Sequence, residues 1–564
     1  MSGETAGIFG ARNVARSGTG GSVGPRGRLS RWAGLAVAGL SMTLTASTGC
    51  GGAESTCAAW TEKLASSGEI EKALAKIGEL KCKESGPVLK QLFDDGLLQD
   101  AILDVLVKID DGPTALPILR SALVIKDTSR QAATLAKDWK LADTRPELVR
   151  VLSEEPFIDA RDAALDTLLS FDPASQHEDL MISLALNDPN RQLVEINRRA
   201  IDELGKMGSK KAIPTLVKAL FLRSQKGNDA YSHARFALAR VGDQTVVDAL
   251  IGLLEGKNTE LVEFATKNGF EPWEITSTPK VIQVLSDALD PKATDALVAD
   301  MAAEIKPPEV DDRTFERWAR DKSDRFLLTS FAFAYMGPDT AVGPLGAIFR
   351  DPKADVMRQR VNAARALSMI GSEAAQDVLI RAWSDELVVE VLKAGTLEIV
   401  ALGVDDRRLA DWDRMLGVLG PNDPKPKKPL ELSQSVKQVL DENEQIRSYI
   451  GVVRECQAEL ACYMKKLKSE IQHEQVKAIA VLSRGRFGAT PEIKTALIEA
   501  FDKADKTHID TKRYSLMGLT RLGNQADGDQ LIKRGEALLE AGDNFWGGEL
   551  MALGHGMKRR MLQQ

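Results

Sequence analysis

The sequence predicts an all-α fold, a solenoid of stacked antiparallel helix pairs. Three observations carry that prediction. First, a spaced phrase recurs: apolar, two residues, apolar, Gly, three residues, then a short apolar stretch ending in Leu. Copies run through Leu204, Met207, Gly208, Ile213 and Leu216; Leu238, Val241, Gly242, Val246 and Leu250; Phe333, Met336, Gly337, Val342 and Leu345; and Leu367, Ile370, Gly371, Ala375 and Leu379. Second, the glycines keep a period of about 34 residues, as from Gly208 to Gly242 and from Gly337 to Gly371; such self-similarity marks a stacked repeat. Third, the chain is 43% hydrophobic but only 5% aromatic, and no alternating strands with hairpin turns are found. That balance favours helices packed through Leu, Ala, Val and Ile.

One phrase shows how a unit is built. Ile201, Leu204 and Met207 share one helix face at three-residue spacing. Gly208 can end that helix in a left-handed conformation, Ser209 can cap the next, and Pro214 sits early in it. Neither helix buries its stripe alone, so neighbouring pairs must stack. The Ala212-Ile-Pro-Thr-Leu216, Ser232-His-Ala-Arg-Phe-Ala-Leu238 and Asn362-Ala-Ala-Arg-Ala-Leu367 tracts resemble the HEAT repeat, in the short bacterial form shared with phycobilin-lyase-like proteins. The resemblance is clear over 150–400 and fainter on either side. It implies a HEAT-like solenoid whose inner helices form a long concave wall for a protein or peptide partner.

The N-terminus has the pattern of a targeting segment. Residues 1–49 hold five Arg and one Glu, with an apolar stretch from Trp32 to Ala46 and small residues up to Cys50. The end of this run resembles a bacterial lipobox, with Ser47 departing from the usual Leu. It implies cleavage before Cys50 and lipidation of that thiol; plain secretion and an uncleaved anchor are the alternatives. Removing the leader takes the net charge from −7 to about −11. So acidic a chain offers nothing to offset phosphate repulsion, which argues against nucleic acid as a partner.

The other cysteines form two local pairs, Cys57 with Cys82 and Cys456 with Cys462. In an oxidising compartment each pair is expected as a disulfide. On one continuous helix Cys456 and Cys462 would lie about 9 Å apart along the axis, so their bridge requires a helix break. The alternative is two reduced thiols on one helix. No metal site is expected, since these cysteines lack CxxC spacing and flanking His.

From these signals the expected organisation is a leader at 1–49 and an N-terminal helical cap with degenerate repeats at 50–145. A repeat solenoid follows at 146–420, with irregular insertions near 256–280 and 305–312. A Pro/Lys-rich linker at 421–430 precedes C-terminal helical repeats at 431–564. No catalytic constellation appears: the five His form neither HExxH nor HxH, and no G-x-S-x-G occurs. Arg235 and Arg365 precede equivalent turns and are expected to pair with an acid in the next repeat. The tryptophans share no repeat phase and read as core, except Trp273, which sits in an irregular stretch and is the candidate contact residue. The expected function is a lipid-anchored, non-enzymatic protein-binding scaffold of the bacterial cell envelope, with no cofactor. An enzyme of the phycobilin-lyase-like class and an architectural envelope protein are the alternatives.

Overall fold

The computed structural model describes residues 56–64, 69–187, 195–276, 279–303, 307–416, 433–505 and 508–563. Cys50, the leader and the 421–430 linker lie outside them. Helices dominate and no strand occurs among the described residues; an isolated bridge joins Arg223 to Asp229. The chain divides into two compact units, one ending at Phe171 and one beginning at Asp172.

The first unit is a single stack of short helices. Cys57–Leu64 and Ile70–Leu80 form its first pair, and a Cys57–Cys82 disulfide closes that hairpin with its Cα atoms 5.4 Å apart. Gln99–Ile109 packs beside Ile70–Leu80 and buries Ile102, Leu103, Val105, Leu106 and Ile109. Asp110 then takes the left-handed conformation (φ 57°) at the place where other repeats carry Gly. Asp111 caps Gly112–Leu123 by accepting from the Thr114 amide.

The second unit has inner helices flanked by outer ones. We number the inner helices among its described residues α1 Tyr231–Val241, α2 Pro279–Ala288, α3 Asp312–Met336, α4 Val361–Ile370, α5 Glu390–Gly403, α6 Glu444–Cys456, α7 Gln472–Ser483, α8 Ile509–Leu522 and α9 Asn544–Gln563. Each packs on the next, and the Glu195–Met207 helix flanks α1. Gly337 and Gly371 end α3 and α4 in the left-handed conformation, as their phrase predicts. Gly242 instead has φ −57°; a Cβ there would lie 2.4 Å from the Leu238 carbonyl oxygen, so close approach requires the glycine.

The concave wall expected from the repeat is not open in this unit. The row folds back: α9 packs against α1 and α2, and α8 against α3. Chemistry at the helix ends explains the fit. The last carbonyls of a helix lack internal partners and carry negative partial charge. Cations from the returning helices satisfy them. Arg521 donates to the Met369 and Ile370 carbonyls at 3.1 and 2.8 Å, ending α4. Lys477 and Arg484 donate to carbonyls of α5 from Ala401 to Gly403, and Lys477 also to Val404. Arg559 of α9 donates to the Ala239 carbonyl of α1. Every residue of α4 is consequently buried, as is the Val476–Ser483 stretch of α7. A helix buried on all sides is the signature of an interior element.

Candidate functional site

The seam between the two rows is polar and enclosed. At one end, Arg235 of α1 donates twice to Asp287 of α2, at 2.6 and 2.8 Å, and lies 2.9 Å from Glu549 of α9. Gln283 donates to Glu549 at 3.0 Å, and the Tyr231 hydroxyl donates to Gln283 at 2.7 Å. Burial pushes the Asp287 carboxyl up to about 6, against the pull of Arg235. Burial also pushes Glu549 upward, but Arg235 overcomes it and holds this carboxyl below its usual range. The expected acid partner in the next repeat is Asp287. The second acid comes from the final helix, which no local spacing announces.

Farther along the seam, Arg365 of α4 behaves differently. Among the described residues it forms no ion pair, and its one hydrogen bond there goes to Asn362 on its own helix. The expected acid partner is absent because α5 and α8 keep their carboxyls at longer range. Glu398 of α5 accepts from Gln445 at 2.8 Å, and Gln445 also donates to the Tyr449 hydroxyl at 2.5 Å. Burial, and then the Asp510 carboxyl, push Glu398 up to about 7 against the charge of Arg365. Burial likewise raises Asp510, opposed by Arg513 and Arg365. Arg365 Nε, Thr511 Oγ1 and Ser515 Oγ are buried without a hydrogen-bond partner. Unsatisfied polar atoms of this kind are uncommon in interiors, so their clustering beside two carboxyls, the Tyr449 and Tyr514 phenols and a guanidinium sets this part of the seam apart.

Trp273 lies elsewhere, in the short helix Pro272–Thr276, and is half-buried. The Arg317 guanidinium sits 5.1 Å from its ring, and its Nε1 is buried without a partner. Beside it opens a cleft of about 1240 Å³ lined by Arg223, Lys267, Glu271, Glu274 and Arg317, among others. Arg223 donates to Glu274 at 3.2 Å and to the Gly269 carbonyl, and it stacks 4.0 Å over Phe270. The stretch around Trp273 also contains a regular helix, Thr259–Lys267. Trp318, Trp383, Trp412 and Trp546 are buried, as their scattered phase implies.

Both cysteine pairs are joined, Cys57 to Cys82 and Cys456 to Cys462. The helix breaks between the second pair: α6 ends at Cys456, Gln457 has φ 48°, and a new helix starts at Leu460. Among the described residues no cluster of three His, Cys, Asp or Glu side chains could hold a metal ion. No helix there is long and apolar enough to cross a membrane.

Sequence reasoning did not single out Glu398, Asp510, Lys477 or Glu549. A signal existed for two of them. Glu398 interrupts the apolar run Thr396-Leu-Glu-Ile-Val400, and Lys477 stands within Val476-Lys-Ala-Ile-Ala-Val-Leu482. A charge inside such a run demands a buried partner. Asp510 and Glu549 carry no comparable local mark.

Among known families, the PBS lyase HEAT-like repeat matches residues 359–384, which cover all of α4 and the outer helix Glu373–Trp383 after it. No curated protein matches the chain. The match falls on a helix pair joined by a left-handed glycine, within an all-α stack of such pairs, so the fold is that of an all-α, HEAT-like helical-repeat solenoid.

Proposed function

We propose that the protein is a lipid-anchored, non-enzymatic protein-binding scaffold of the bacterial cell envelope. Its binding surface is one edge of the second unit rather than a concave wall. The carrying observation is where apolar side chains stay exposed. The inner helices run parallel, since Arg521 reaches the last carbonyls of α4 from the end of α8, and Glu549 meets Arg235 and Gln283 with all three in the second turns of their helices. Their first turns therefore share an edge. Among the described residues of this unit, every exposed large apolar side chain lies at or just before such a first turn. Val310 and Phe315 open α3, Met357 precedes α4, Leu387, Val389 and Val391 open α5, Ile471 precedes α7, and Phe545 opens α9. Exposed apolar side chains gathered along one edge of a folded protein mark an interaction surface.

The anchor and compartment rest on the cysteines. Four of the five are tied in disulfides, which persist in oxidising compartments, and this leaves Cys50 as the thiol for lipidation. Intact mass spectrometry of the membrane-extracted protein tests this: cleavage before Cys50, acylation and no free thiol are expected. A retained leader or four free thiols would overturn it. For the surface, pulldown from detergent-solubilised envelope is expected to recover a specific partner, and V389D with V391D is expected to lose it while keeping the same melting profile. No specific partner, or one retained by that variant, would end the reading.

A further inference from the structure

Among the described residues, most of the exposed large apolar side chains of the second unit belong to three consecutive inner helices. Val310 and Phe315 open α3, Met357 precedes α4, and Leu387, Val389 and Val391 open α5. These starts are tied to one another. The Trp318 ring lies 5.3 Å from the Phe315 ring, and the Arg358 guanidinium lies 5.8 Å from Trp318. Arg360, before α4, donates to the Leu387 carbonyl at 2.7 Å. Between α3 and α4 opens a groove of about 1000 Å³, lined by Ser323, Met357 and Asn362 among others.

Helix geometry sorts the charge around this patch. Residues seven and eleven apart share a helix face. Glu316 and Asp312 precede Ser323 at those spacings, so they continue the face of α3 that Ser323 turns to the groove. Arg313 and Arg317, four apart, form a separate stripe, on which Arg317 meets Trp273 and Glu274. The Arg320 charge acts on Asp321 and Asp324 of its own helix. At the start of α5, Glu386 and Glu390 flank the three apolar side chains, and no cation occurs from 385 to 391. The buried Lys393 lies 3.5 Å from Glu390, and Arg358 lies 3.8 Å from Asp355. Asp312, Glu316 and Glu386 are exposed and have no ion pair among the described residues; on the turn before α4, Lys353 is the cation in the same condition.

We propose, resting on the scaffold function above, that this patch docks a basic amphipathic segment of a partner protein, one that interleaves Lys or Arg with large apolar residues. Its apolar side chains seat on Phe315, Met357 and Val391 and in the groove, and its cations meet Asp312, Glu316 and Glu386. The same carboxylates disfavour the anionic surface of a bilayer and an acidic partner, because like charges brought face to face repel. A second copy docking symmetrically would bring these carboxylates against themselves.

The purified protein, with its disulfides intact, is titrated with labelled synthetic peptides of equal length: a Leu/Lys amphipathic helix, a scramble of it that has no apolar face, and a Leu/Glu counterpart. The Leu/Lys helix is expected to bind about tenfold or more tighter than either of the others, and to weaken at high salt. D312N with E316Q and E386Q should weaken it by about tenfold at an unchanged melting profile, and so should V389S with V391S. E71Q with E84Q and D100N, which neutralises exposed acids of the first unit, should leave it unchanged. Equal affinity for the scramble, or undiminished affinity in the D312N, E316Q and E386Q protein, would overturn the proposal. Binding to phosphatidylglycerol vesicles, or self-association in sedimentation, that V389S with V391S abolishes would overturn it too, assigning the patch to a membrane or to a second copy. An envelope partner lost with V389D and V391D but kept by the D312N, E316Q and E386Q protein would end the charge assignment and leave the scaffold standing. Recovery of no envelope partner would end the scaffold, while the peptide titration still decides the chemistry of the patch.

Discussion

The two units use the same helix pairs and solve burial differently. In the first, each helix hides one stripe: Ser129–Asp138 buries Ser129, Ala132, Ala133, Leu135 and Ala136 and leaves the rest at least partly accessible. In the second, α4 hides every residue, and α8 hides Thr511, Lys512 and all of Tyr514–Thr520. A single row needs only its neighbours, so its weak point is its end, where a disulfide ties the first pair. A doubled row covers its own inner face, so its weak points are the polar groups that must be matched across the seam. The lesson is that repeat sequence sets the pairs, while the second row decides which polar residues become interior ones.

The sharpest way to break the comparison is at Arg235. Removing it leaves Asp287 and Glu549 buried without the cation that bonds both of them. Breaking a buried pair in this way costs about 3–5 kcal/mol. R235A should lose that much in denaturant unfolding, and hydrogen exchange should show α9 released from α1. A loss below about 1 kcal/mol, the range of exposed pairs, would mean that the seam is not what closes the second unit.

The next effect belongs to the first unit. C57S with C82S opens a loop with 25 residues of sequence separation, worth about 3.5 kcal/mol by loop entropy. The Cys456–Cys462 pair, at a separation of 6, is worth about 2 kcal/mol on the same basis. Proteolysis should then nick Cys57–Leu64 and Ile70–Leu80 before any helix of the second unit. Equal protection of that pair in oxidised and mutant protein would show that neighbour packing alone holds the end of the row.

Helix pairs were legible in the sequence because their causes are local. Leu204, Leu238, Phe333 and Leu367 are all core residues, and Gly208, Gly337 and Gly371 all adopt positive φ. The helix break between Cys456 and Cys462 was legible too, since reach along an axis is simple geometry. The fold-back was not. It depends on Arg521, Lys477, Arg484 and Arg559 meeting helix ends far away in sequence, and a cation in isolation reads as a solvated residue. Arg365 illustrates the limit: its position matches that of Arg235, yet no acid reaches it. Register between distant helices decides that, and a repeat phrase carries no such register.

The smallest effect isolates the interior character of the seam through pH. Burial and Asp510 raise Glu398 from 4.5 to about 7. A carboxyl raised on folding stabilises the fold fully below its unfolded value, where both states are protonated. That contribution is lost as pH rises through the interval from 4.5 to about 7. Glutamine keeps the acceptor for Gln445 but cannot ionise. E398Q should therefore be the more stable protein at pH 8, by on the order of 1–2 kcal/mol, with the difference vanishing near pH 4. If thermal melts of E398Q and parent differ by the same amount at every pH, the Glu398 carboxyl is solvated and the two rows do not close over it.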